Sequence, residues 1–183
     1  MAQTKILVDT NSYIRLAKSI HPLLFQSFGE VEYCLYVLPE LNKELANHKL
    51  ESRFHWINDA EYSENRRRFP TISRAQKNYI ANTFEYIWEY VKADLPGPSR
   101  VDALYIAYAL ELDLPVVTDD QDMTTLATVF GAKTLSTMEL LKIMFDSQHI
   151  SGATVKGLFE YWRHITDLPA NFSVDRQRLF PDM

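Results

Sequence analysis

Short apolar runs alternate along this chain with stretches of helical spacing. Lys5-Ile-Leu-Val8 stops abruptly at Asp9-Thr-Asn-Ser12, four residues that favour turns and helix caps over a continuing strand. This predicts a strand leading into a helix from Ser12, with Ile14, Ala17 and Leu24 at roughly helical spacing and Pro22 as an interruption. Residues 33–38 read as a second buried strand, and Pro39 as the first residue of a helix reaching His48. From about residue 49 to 95 the pattern is helical, with Phe84, Ile87, Trp88 and Val91 on one face, until Pro96-Gly97-Pro98 ends it. A helix from Ser99 carries Val101, Leu104, Tyr105, Tyr108 and Leu112 as its expected buried stripe. Residues 114–118 form a third strand, a helix runs through Leu126 and Val129, and residues 132–135 form a fourth strand. Helices near 136–145 and 153–165 complete the pattern, and the aperiodic tail 167–183 is expected to hug the surface or move freely.

Strands that alternate with helices predict an α/β fold of three layers, α/β/α, with a central parallel sheet and extra C-terminal helices. Residues 1–135 make the core, with a helical insertion at about 49–95, and 136–183 a helical extension of the same domain. A length of 183 residues suits one compact unit, and 46% hydrophobic against 23% charged residues is a globular balance. In such folds ligands bind at the carboxyl ends of the strands, at the switch point of the sheet. Here two strand ends terminate in aspartates.

Cys34 is the one cysteine and sits in an apolar stretch, so no intrachain disulfide can form and a reducing compartment is expected. No window is long and apolar enough for a membrane helix or a signal peptide, which points to the cytoplasm. A formal charge of −5 gives no general attraction to phosphate backbones, so any nucleic-acid contact must be local.

Hydrolysis of a phosphodiester needs an activated water and relief of charge on the phosphate, and hard oxygen ligands holding Mg²⁺ supply both. The candidate carboxylates are Asp9 after the first strand, Glu44 on the second helix, Asp102 at the helix start after Pro-Gly-Pro, and Asp119, Asp120 or Asp122 after the third strand. The five histidines are scattered, so Mg²⁺ or Mn²⁺ is favoured over zinc. Ile6-Leu-Val-Asp-Thr-Asn-Ser12, Pro39-Glu-Leu-Asn-Lys-Glu-Leu45, Val101-Asp-Ala-Leu-Tyr-Ile-Ala-Tyr-Ala109 and Pro115-Val-Val-Thr-Asp-Asp-Gln-Asp-Met123 together resemble the four acidic motifs of the PIN-domain nucleases, across roughly the first 135 residues. The resemblance implies a metal-dependent endoribonuclease on single-stranded RNA. Many bacterial members are toxins of the VapC type, held by a partner antitoxin, and homodimerisation is an open possibility. It also selects Glu44 over Glu40, from the Glu-Leu pair, and Asp120 behind Thr118, with Asp119 in a variable slot and Asp122 as an additional ligand. Asn11 then supports the site, and Thr118 is a hydroxyl that orients a carboxylate.

Simpler structural roles compete with these. Asp9 or Asn11 would cap the first helix, and Ser99-Arg-Val-Asp102 is itself a capping-box pattern. Between Lys49 and Lys77 seven basic residues face four acids, either as a solvated helix surface or as an RNA-guiding rim in which Arg66, Arg67 and Arg68 clamp phosphate, while His55, Trp56, Tyr62 or Phe69 stack on bases. Three other functions remain open: a free-standing RNA-processing nuclease, a catalytically silent PIN module for protein interaction, and a phosphatase, although Asp9-Thr-Asn lacks the second aspartate an aspartyl-phosphate enzyme needs.

Overall fold

The computed structural model describes residues 3–45 and 48–183. Four parallel strands form one sheet in the order β2-β1-β3-β4, where β1 is Thr4–Val8, β2 Tyr33–Tyr36, β3 Val116–Val117 and β4 Thr134–Leu135. The chain steps from β1 outward to β2 and later returns to β1's other edge with β3, so the switch point lies between β1 and β3. Period-two alternation sorts the side chains into two cores. Ile6, Val8, Leu35, Val37 and Val117 enter one, and Leu7, Cys34, Tyr36 and Val116 the other. Strands buried on both faces need a helical layer on each, which makes the fold a three-layer α/β/α arrangement.

The first layer contains α1 (Thr10–Ala17), α8 (Thr137–Asp146), α9 (Gly152–His164) and α10 (Phe172–Leu179), with Tyr13, Leu16, Leu141, Leu158 and Trp162 in its core. The second contains α5 (Arg74–Asp94), α6 (Arg100–Leu112) and α7 (Gln121–Phe130), packed through Phe84, Ile87, Ile106 and Leu126. Between β2 and α5 run α2 (Leu41–Leu45), α3 (His48–Arg53), a 3-10 turn at His55–Asn58 and α4 (Ala60–Arg66). Among the described residues no helix is long and apolar enough to cross a membrane.

Several elements depart from the sequence pattern for local reasons. The first helix starts at Thr10 and not Ser12, because Asp9 is its N-cap and accepts from the Ser12 amide at 2.6 Å. Pro39 does not open the second helix; residues 38–43 turn through i to i+3 bonds such as Leu41 N to Leu38 O, and α2 begins at Leu41. On α6 only Tyr105 of the expected stripe is fully buried. The helix lies on the sheet through Ala103, Ile106, Ala107 and Ala109, whose small side chains let it approach closely, while Val101, Leu104, Tyr108 and Leu112 sit at its margins. On α7 the inner residues are Met123, Leu126 and Ala127, and Val129 points outward. The tail is neither loose nor merely superficial: α10 is docked by Phe172 and Phe180 against Phe159. Two aromatic anchors at its ends hold it without any periodic stripe to announce it.

Arg66 also differs from expectation. It is 2% exposed, with Nη1 donating to Ile57 O at 2.6 Å and to the Tyr13 hydroxyl at 3.2 Å, and Nε donating to Asn42 Oδ1 at 3.0 Å. It ties α4 to α1 and α2 and offers nothing to a phosphate. Arg67 and Arg68 are exposed, Arg68 over the Phe25 ring. Of the proposed stacking aromatics, Tyr62 is buried against Trp56 and His21, and Phe69 packs on Tyr36 and Tyr108. Arg66→Ala is therefore expected to lower unfolding free energy by about 3 kcal/mol by stranding buried acceptors, against less than about 0.5 kcal/mol for Arg68→Ala. Urea unfolding of both variants checks this, and equal stabilities would return Arg66 to the surface.

Candidate active site

A cavity of about 490 Å³ opens at the carboxyl ends of β1 and β3, on the switch point of the sheet. Asp9, Glu44, Asp102, Asp120 and Asp122 line it together with Asn11. These five carboxylates come from four separate stretches of chain, so each needs its own local device to hold it.

Asp9 follows β1 and is 6% exposed. Its Oδ1 accepts from the Ser12 amide, and its Oδ2 from the Thr118 hydroxyl at 2.6 Å. The Thr118 oxygen in turn accepts from the Asp120 amide at 3.1 Å, so one hydroxyl couples the ends of both strands. Glu44 on α2 accepts a hydrogen bond at Oε2 from the Thr10 hydroxyl. Asp102 completes the capping box of α6: its Oδ2 accepts from the Ser99 amide at 2.6 Å, while the Ser99 hydroxyl accepts from the Asp102 amide at 3.1 Å. Cap and cavity wall are thus the same side chain. Asp120 caps α7, with Oδ1 accepting from the Met123 amide at 2.9 Å. Asp122, two residues on, stands beside Gly97, where an added Cβ would lie 2.9 Å from its Cγ at a backbone φ of +149°. The Pro-Gly-Pro turn needs glycine there to leave room for that carboxylate.

Asp119 does not reach the cavity. Its carboxylate is turned toward α1 and α8, paired with Arg15 Nη1 at 2.8 Å, and accepts from the Thr137 amide at 3.0 Å. The Thr137 hydroxyl lies 2.6 Å from Asp119 Oδ2 and 2.9 Å from Ser12 Oγ. Arg15 also pairs with Asp167 at 3.0 Å, and its carbonyl accepts from the Trp162 indole. The metal-ligand expectation for Asp119 is corrected accordingly: adjacent acids point in different directions, and this one is consumed by an internal ion pair. Asn11 lies exposed on the cavity rim. Sequence reading missed Thr10, Ser12, Arg15 and Thr137, whose partners lie far along the chain. Tyr105 is buried as its place in the helical stripe predicts, and its hydroxyl also donates to Val8 O at 2.9 Å and accepts from Leu38 N at 3.3 Å, locking the ends of β1 and β2 under the cavity.

Burial dominates the electrostatics. It pushes Asp9 up from 3.8 to about 6, against the lowering effect of the Ser12 and Thr118 hydrogen bonds, with the Asp119 charge adding to the rise. Burial likewise raises Glu44, helped by Asp102, and raises Asp102, helped by Asp120 and Asp122. The donor set suits a hard cation. Glu44 Oε1, Asp102 Oδ1, Asp120 Oδ2 and both Asp122 oxygens take no hydrogen bond from the described residues, and among the described side chains no Cys or His lines the cavity. Among the described residues no three or more His, Cys, Asp or Glu side chains are grouped closely enough to hold a metal ion by themselves.

Compared with known proteins, the chain matches no family model, no curated protein and no solved structure.

The raised Asp9 has a consequence for stability. Unfolded Asp9 releases its proton near 3.8 and folded Asp9 near 6, so stability present below pH 3.8 is lost as pH rises to about 6, by about 3 kcal/mol from this group. In EDTA, Asp9→Asn is expected to match the parent near pH 3.5 and to exceed it at pH 7. Parallel stability curves for parent and variant across that range would refute the shift.

Proposed function

We propose that this chain is a Mg²⁺- or Mn²⁺-dependent endoribonuclease that hydrolyses phosphodiester bonds of single-stranded RNA. The observation that carries the reading is the convergence of Asp9, Glu44, Asp102, Asp120 and Asp122 on one open cavity at the sheet's switch point, three of them held above their ordinary proton affinity, chiefly by burial and to a lesser degree by neighbouring carboxylates. Such crowding is unfavourable unless a cation relieves it. When bound, the metal would polarise the phosphate and lower the pKa of a coordinated water. The chain's part is pre-organisation. Thr118 and the Ser12 amide fix both oxygens of Asp9, Thr10 fixes Glu44, the Ser99 amide fixes Asp102 and the Met123 amide fixes Asp120, each leaving acceptor capacity toward the cavity. RNA as substrate, a role as the toxin of a toxin–antitoxin pair and a cytoplasmic setting come from the resemblance of the four motifs to PIN-domain nucleases and from the sequence composition.

Asp102 separates cap from ligand. Asn keeps the acceptor that the Ser99 amide needs but removes the charge, so Asp102→Asn is expected to lower RNA cleavage by at least about 100-fold. Its melting temperature in EDTA should equal or exceed the parent's, because a repelling charge is gone. The parent's own cleavage should vanish in EDTA. Retained activity in the variant, or in EDTA, would sink the metal mechanism. For substrate binding, Arg67→Ala with Arg68→Ala should weaken single-stranded RNA and reduce the slope of log affinity against log salt by up to about 1.4; an unchanged slope would assign both to ordinary solvated surface.

A further inference from the structure

Beside the carboxylate cavity lies another of about 480 Å³, which shares Glu44 and Val101 with it and is otherwise walled by Glu40, Lys43, Phe84, Arg100 and Leu104. Its polar groups do not satisfy one another. Glu40 Oε2 is buried without a hydrogen-bond partner among the described residues, whereas nearly all buried acceptors have one. Lys43 and Arg100 are exposed and form no ion pair among the described residues. Arg100 instead lies over the Phe84 ring, 4.9 Å from its centroid.

Among the described residues one cleft therefore holds a carboxylate that lacks donors, two cations that lack anions, and an apolar wall of Phe84, Val101 and Leu104. A nucleotide complements all three, with ring N–H groups for Glu40, phosphate for Lys43 and Arg100, and a base face for stacking on the arginine and the apolar wall. The geometry points to a base-recognition subsite, adjoining the cleavage cavity, in which Glu40 selects guanine. This inference rests on the ribonuclease reading above. Guanine is the base whose Watson–Crick edge sets two donors, N1–H and the N2 amino group, side by side, matching the two oxygens of one carboxylate. Adenine and cytosine place an acceptor nitrogen next to their amino group, which repels the second oxygen, and uracil flanks its single N–H with carbonyls. The terminal torsion of a glutamate is broad, so a partial turn about it brings the buried Oε2 of Glu40 round toward the cleft beside Oε1.

The test is calorimetric binding of nucleoside 5′-monophosphates to the full chain in EDTA, which takes metal and cleavage out of the measurement. GMP should bind at least about tenfold more tightly than AMP, CMP or UMP, the effect of one hydrogen bond to a charged group. IMP, which keeps N1–H but lacks the amino group, should fall between. Glu40→Gln should level the series. GMP binding no tighter than the others, or not at all, overturns the subsite, as does a guanine preference that survives Glu40→Gln. Should that variant fail to fold, the parent alone decides, because IMP binding as tightly as GMP also overturns it. Metal-dependent RNA cleavage without guanine preference removes only the subsite, whereas guanine preference in a protein that never cuts RNA fails the ribonuclease reading.

Discussion

The hydrogen bond from the Thr118 hydroxyl to Asp9, 2.6 Å long, joins the ends of the two strands that flank the sheet's switch point. Parallel strands leave a crevice there because their connections depart in opposite directions. A carboxylate placed in such a crevice is desolvated, and a desolvated charge is tolerated only where donors are already aimed at it. Ser12 and Thr118 provide them, yet Asp9 still keeps its proton to about 6. The site is thus poised: anchored well enough to be ordered, and charged reluctantly enough to gain from a counter-ion.

Around that bond the fold repeats one economy, in which a helix cap is also a cavity wall. Asp9 and Asp120 each accept from an amide in the first turn of a helix, Asp102 accepts from the amide of its helix's N-cap, and all three line the cavity. The positive ends of α1, α6 and α7 meet near the same point, which partly offsets the repulsion among the carboxylates. Three helices therefore aim their amino ends at the cavity, and a substitution chosen to remove a charge need not remove a cap.

How much of this was legible in the sequence depended on how far apart the deciding partners lie. Strands such as Lys5-Ile-Leu-Val8 and residues 33–38 announce themselves because burial on both faces writes a continuous apolar run. The capping box at Ser99 and Asp102 is a matter of three residues and reads directly. Asp119 and Asp120 look alike in sequence, and Arg15, 104 residues away, turns one of them aside together with Thr137, 18 residues on. Arg66 is read as surface because arginine usually is; its partners, Asn42 and Tyr13, stand 24 and 53 residues earlier. Alanines on α6 carry too little apolar weight to reveal that they, and not the larger Val101 and Leu104, face the sheet.

The ion pair of Arg15 with Asp167 spans 152 residues. Arg15 also neutralises Asp119, whose charge presses on Asp9 from behind. All four acidic motifs are translated by residue 123, but the clamp beneath them cannot close until Trp162 and Asp167 have emerged. Closing so long a loop adds little entropy beyond that of a shorter one, though contacts of such range form late in folding. During synthesis the chain thus carries every acidic residue of the site well before it carries the frame that holds them still.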